Sequence, residues 1–158
     1  MFDRVTVVPE DKLVIVGTTP LNFDYEADNN VHAIQWLNGE GEIEYRDYTP
    51  NLKFGKKDYD KYVKPYVQLY DAEKARLDKE EAKRVAEYNS EEARFARLRE
   101  ERDKRIAATD YLLAADYPIS SDKLEAVKQY RQALRDLPSL AGAPWTDDSI
   151  PWPTNPMK

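Results

Sequence analysis

The stretch VHAIQWLNGEGEIEY, residues 31–45, decides the reading of the fold. Asn38-Gly39 divides it into two arms. A tight type I′ turn needs positive φ at both central residues, and asparagine–glycine supplies this at least cost. The first arm is Val31 to Leu37. The second, Glu42 to Tyr45, alternates acidic residues with Ile43 and Tyr45, which predicts one covered face and one wet face. The stretch therefore predicts a β-hairpin. Toward the N-terminus, FDRVTVVPE has a β-branched run that stops at Pro9, and Leu13–Val16 is a second apolar run ending at a Gly17 turn. Residues 1–55 are thus expected to form a small antiparallel β domain, the sheet ending near Thr49-Pro50-Asn51.

The period changes near Lys57. Val63, Tyr66, Val67 and Tyr70 make one helical stripe. Pro65 is tolerated only in a first turn, so this helix is expected to start around Tyr62 to Lys64, with any earlier helix separate or kinked. From Gln68 to Ala115 there is neither proline nor glycine. Alanine, glutamate, lysine, arginine and leucine fill the interval, and these favour helix. Unbroken, it would be roughly 70 Å long at about 1.5 Å per residue. Ala72, Ala75, Ala82, Ala86, Ala93 and Ala96 share a near-heptad stripe. Residues 56–101 read as a helical stalk or coiled-coil-like linker, giving weak homo-oligomer contacts or one leg of a helical hairpin. The alternative is that alanine serves propensity alone. Asn89-Ser90-Glu91-Glu92 allows either a continuous helix or a break with Ser90 as the next cap.

Residues 102–158 are expected to be an αα-hairpin with a tail. Arg102 to Ala115 reads as a helix with Ile106, Tyr111 and Leu113 on its apolar side, stopped by Tyr117-Pro118. Ser120 or Ser121 caps a second helix through Leu124, Val127, Tyr130, Arg131 and Leu134, ended by Asp136-Leu137-Pro138. Arg131 and Arg135 are set against Asp110 and Asp116, which predicts an arginine–aspartate lock across the hairpin; both arginines facing solvent is the alternative. Two short helices bury little alone. The ending PWTDDSIPWPTNP, with Trp145 and Trp152 on a proline-stiffened path, is expected to cover them, with Trp152 as the main anchor. The fold class is α+β: a small N-terminal antiparallel sheet, a long central charged helix, and a C-terminal helical hairpin with a Trp/Pro tail.

Charge and composition narrow the function. The 158 residues carry a net charge of -6, and the first 55 hold 4 basic and 10 acidic side chains. The middle segment is nearly balanced, so no nucleic-acid footprint is present. No apolar run reaches the length of a membrane span, and MFDRVTVVPE does not read as a signal peptide. Cysteine is absent, which removes disulfides and thiolate metal sites. The single histidine, His32, lies in an expected strand and reads as structural or exposed. Glu40, Glu42 and Glu44 share one strand face and read as solvated. With no phosphate loop and no serine elbow, no catalytic, cofactor or metal site is expected. Eleven tyrosines suit either contact surfaces or a core.

The pieces RIAATDYLLAADYPI, YRQALRDLP and IPWPTNP resemble the C-terminal module of tailed-bacteriophage tail proteins, including tail fibre assembly proteins. Arg105, Thr109, Asp110, Tyr111 and Asp116 carry the first piece. Tyr130, Arg131, Leu134, Arg135, Asp136, Leu137 and Pro138 carry the second, and Trp152 and Pro153 the third. His32, Ala33, Ile34, Gln35, Trp36, Gly41, Ile43, Glu44 and Tyr45 look like the N-terminal part found in such proteins. The family often has tryptophan where this chain has Tyr111, and its simplest members have a shorter, less charged middle helix. The resemblance implies a non-enzymatic assembly factor: a chaperone that binds an aggregation-prone phage tail fibre or receptor-binding protein in the host cytoplasm until it folds. The alternative it leaves is a structural component retained in the virion tail.

Overall fold

The computed structural model describes residues 1–158. The chain separates into two compact units, residues 1–81 and 82–158.

In the first unit, six strands form one antiparallel sheet: β1 (Arg4–Val8), β2 (Leu13–Val16), β3 (Thr19–Asn22), β4 (Val31–Leu37), β5 (Glu40–Tyr45) and β6 (Leu52–Gly55). Their spatial order is β3-β2-β1-β4-β5-β6. The hairpin that decided the reading is β4–β5, with Asn38 at φ 51 and Gly39 at φ 98, as a type I′ turn requires. The second arm starts at Glu40 rather than Glu42, tightening the turn to two residues. The sequence reading omitted both edge strands. β3 contains Pro20, which is acceptable only at an edge, and β6 is four residues long and follows Pro50.

The register explains the core. Val16, Val5, Trp36, Gly41 and Phe54 lie opposite one another across five strands, and Val14, Val7, Ile34 and Ile43 form the next row. Trp36 and Phe54 stack at 5.8 Å between ring centroids. Gly41 lies between them for a steric reason: a Cβ there would come 2.2 Å from Phe54 Cζ. The indole Nε1 of Trp36 donates to Phe2 O at 2.8 Å, so the largest core side chain leaves no polar atom unpaired.

Helices close the covered face. A short α1 (Tyr59–Tyr62) precedes α2 (Lys64–Tyr88), with Pro65 in the first turn of α2. Tyr59, Val63, Val67 and Tyr70 are buried against the sheet residues. Tyr70 Oη donates to Thr19 O at 3.2 Å, tying α2 to an edge strand. Beyond Tyr70 almost every residue of α2 is exposed, alanines included. That part is supported by neighbouring ion pairs, such as Lys74–Asp78 at 3.2 Å and Arg76–Glu80 at 2.6 Å.

The second unit starts inside α2. The helical stretch breaks at Asn89-Ser90: Ser90 caps α3 (Glu91–Ala107), its hydroxyl accepting from Ala93 N at 3.2 Å. Then come a 3-10 turn at Asp110–Leu113, α4 (Ser121–Asp136) capped by Ser120, and short 3-10 turns at Leu137–Ser139 and Asp147–Ser149. α3 packs on α4, and Leu98, Leu112, Val127, Tyr130, Leu134 and Leu137 are the buried apolar residues of this unit. The first hairpin helix therefore runs from 91 to 107, not from 102 to 115. Leu112 is buried, whereas Tyr111 and Leu113, expected on the apolar side, are exposed. In the 3-10 turn that replaces the last helical turns, a different side chain faces the core.

Candidate functional site

The early end of α3 is set by one residue from α4. Arg131 is 7% exposed. Its Nη1 donates to Ile106 O at 2.7 Å and to Thr109 Oγ1 at 2.8 Å, and lies 2.8 Å from Asp110 Oδ1. The buried Thr109 donates its own hydroxyl to Ile106 O at 2.8 Å. In a continuing helix, Ile106 O would accept from the backbone N–H of residue 110. Here the Thr109 N–H closes a tighter turn on it at 3.0 Å, a guanidinium and a hydroxyl join it, and the cation sits at the helix C-terminus, where the dipole favours it. The expected lock is thus real for Arg131 and Asp110. It does not include Arg135 and Asp116, both of which are exposed.

The Arg131 latch fixes the turn between the two helices. Tyr111 (55% exposed), Leu113 (41%) and Tyr117 (37%) project from this turn, and the Tyr111 and Tyr117 rings meet edge-on at 5.2 Å. An exposed aromatic cluster on a backbone held by buried polar bonds suits contact with another molecule better than it suits packing within this unit.

The tail returns along α3. The Trp152 ring, half-buried, lies under the Arg105 guanidinium at 4.1 Å, and Arg105 also pairs with Glu101 at 3.0 Å. A second attachment centres on Asp147. It accepts from Tyr88 Oη at 2.6 Å and from Arg97 Nε at 3.2 Å, while Arg97 stacks on the Tyr88 ring at 3.8 Å. These bonds hold the Asp147 carboxyl below its ordinary value, the Tyr88 hydroxyl first and Arg97 second. The bond to Asp147 raises the Tyr88 phenol. Trp152 therefore shares the anchoring with Asp147, a residue that sequence reading did not single out. The pairing spans 59 residues and no local motif announces it. Arg97, Glu101, Arg105, Asp147, Ile150 and Trp152 line an open groove of ≈ 290 Å³.

The remaining candidates stay apart. His32 is exposed on β4, at a register irregularity between Val31 and Ala33. Glu42 accepts from Asn51 at 3.2 Å and Glu44 from Gln35 at 2.6 Å on the wet face of the sheet. Glu42 and Glu44 are thus each engaged by an amide side chain.

Residues 95–157, from the middle of α3 to the end of the tail, match the family model described as phage tail assembly chaperone protein. This C-terminal part of the chain is similar to the phage tail assembly chaperone family. The match takes in the Arg131 latch, the Tyr111–Tyr117 turn and the Trp152 contact together, so the family unit is the α3–α4 hairpin with its returning tail. The match supports a role in phage tail assembly as a chaperone. The first 94 residues, including the hairpin at 31–45, lie outside the match. No curated protein and no solved structure matches the chain. No helix is long and apolar enough to cross a membrane.

Proposed function

We propose that the client of this chaperone is a tail fibre or receptor-binding protein, held in the host cytoplasm while it folds and then released. The carrying observation is that the matched family unit presents an exposed aromatic cluster on a turn fixed by buried polar bonds. An unfinished fibre exposes apolar surface and unpaired strand edges, and a partner that masks them lowers the concentration of aggregation-prone species. The chain acts by binding alone and catalyses no reaction. Residues 56–101 act as a spacer, and contacts between copies run along the central helix. A client that must be released calls for moderate affinity, about micromolar, or roughly -8 kcal/mol.

The test is the composition of mature particles. Purified virions are digested and this chain is quantified against the fibre protein. The chaperone reading expects at most traces. Fixed stoichiometry with the fibre would make the chain a structural component of the tail.

A further inference from the structure

The turn between α3 and α4 combines three features. Its apolar side chains Tyr111, Leu113 and Tyr117 are exposed and the two tyrosine rings meet, while Leu112 is 1% exposed and pins the turn to the core. Its backbone is held from beneath by Arg131 and Thr109. Between Arg105 and Lys123 its charged side chains are Asp110, Asp116 and Asp122. Arg131 offsets Asp110; Asp116, next to Tyr117 in sequence, and Asp122, in the first turn of α4, are exposed.

We infer that residues 109–122 form the client-docking surface of this chaperone, and that the segment seated there is a basic stretch of the client chain with apolar or aromatic residues beside its lysines or arginines. The inference rests on the chaperone reading above and adds the surface and the chemistry of what it holds. Charge complementarity selects the occupant. The exposed Asp116 carboxylate adjoins Tyr117 in an acidic turn, so a lysine or arginine stem lies on the tyrosine rings with its head at that carboxylate. An acidic segment would meet like charges. A second copy would bring the same unpaired aspartates to the interface. Arg131 acts as a positioning residue: it touches no client and fixes the conformation in which Tyr111 and Tyr117 share one side.

The probe is a tail fibre polypeptide of the proposed client class, used whole and as overlapping synthetic peptides. Binding to the full-length chain is measured by fluorescence anisotropy, with sedimentation of the chain alone. Tyr111→Ala combined with Tyr117→Ala is expected to weaken binding at least about tenfold. Asp116→Lys is expected to weaken it several-fold at low salt, with the loss shrinking as salt rises. All three positions are exposed, so the thermal midpoint should not move. The bound peptides should carry net positive charge. Unchanged binding by these variants, or capture of acidic peptides, overturns the inference while the chaperone reading stands. A wild-type dimer that the tyrosine substitutions dissociate makes a second copy the occupant and also overturns it. No fibre binding by the wild type removes the inference and the chaperone reading together.

Discussion

Arg131→Met removes the guanidinium that ends α3 and keeps much of the side chain's apolar volume. Three contacts are lost: Ile106 O at 2.7 Å, Thr109 Oγ1 at 2.8 Å and Asp110 Oδ1 at 2.8 Å. Bonds to a charged donor are worth about 1.5–3 kcal/mol each when buried. The sum is not reached, because the acceptors are not all stranded. Ile106 O keeps the Thr109 N–H at 3.0 Å and the Thr109 hydroxyl at 2.8 Å, and the Asp110 side chain is 62% exposed and turns to water. The expected cost is therefore about 2–3 kcal/mol, below that of breaking a fully buried ion pair. Asp110→Asn, which touches only the exposed arm of the latch, should cost at most about 1 kcal/mol after solvent screening. Urea unfolding in a Trp36→Phe background reports on this unit, since Trp145 and Trp152 then supply the emission. With a slope near 1 kcal/mol per molar for so small a unit, the Arg131→Met midpoint should fall by about 2–3 M. A fall below about 0.5 M, or an equal fall in Asp110→Asn, would refute the view that backbone capture at Ile106 carries the latch.

Gly41→Ala should destabilise the sheet by about 1–3 kcal/mol by forcing Phe54 off Trp36, read as a lower midpoint by Trp36 emission in a Trp145→Phe, Trp152→Phe background. An unchanged midpoint would show that the ring shifts freely. Trp152→Ala should cost only about 1–2 kcal/mol, because the ring is half-buried and a cation–π contact adds little, and thermal melting checks this. The Asp147 attachment should have a pH window. Asp147 is depressed below 3.8, so its contribution is full above that value and fades as pH falls through the lowered one; Tyr88 is raised above 10.0, so its contribution fades as pH rises through the raised one. Amide exchange in residues 145–152 should rise at both extremes, and Asp147→Asn should abolish the acid limb. An acid limb that persists in that variant places the titration elsewhere.

What the sequence made legible was local chemistry. Asn38-Gly39 dictated its own turn, Pro65 marked the start of α2, and Ser90 and Ser120 were recognisable caps. The edge strands were not legible, because four residues hold too little alternation and Pro20 argued against a strand. The end of α3 was misplaced by eight residues for a different reason. Its helix propensity continues past Ala107, and the stop is imposed by Arg131, whose bond to Ile106 spans 25 positions. The Arg131–Asp110 pairing could be read from charge and spacing, but its capture of a backbone carbonyl could not. The exposed Tyr111 and buried Leu112 follow from that stop, so the aromatic surface was hidden for the same reason.

The most direct test of the central claim is the yield of soluble, correctly assembled tail fibre protein, the proposed client, when it is expressed with and without this chain. The chaperone account predicts that fibre made alone is largely aggregated, and that coexpression raises the soluble, assembled fraction several-fold, with the two proteins copurifying before release. Equal yields of assembled fibre in both cases would contradict it.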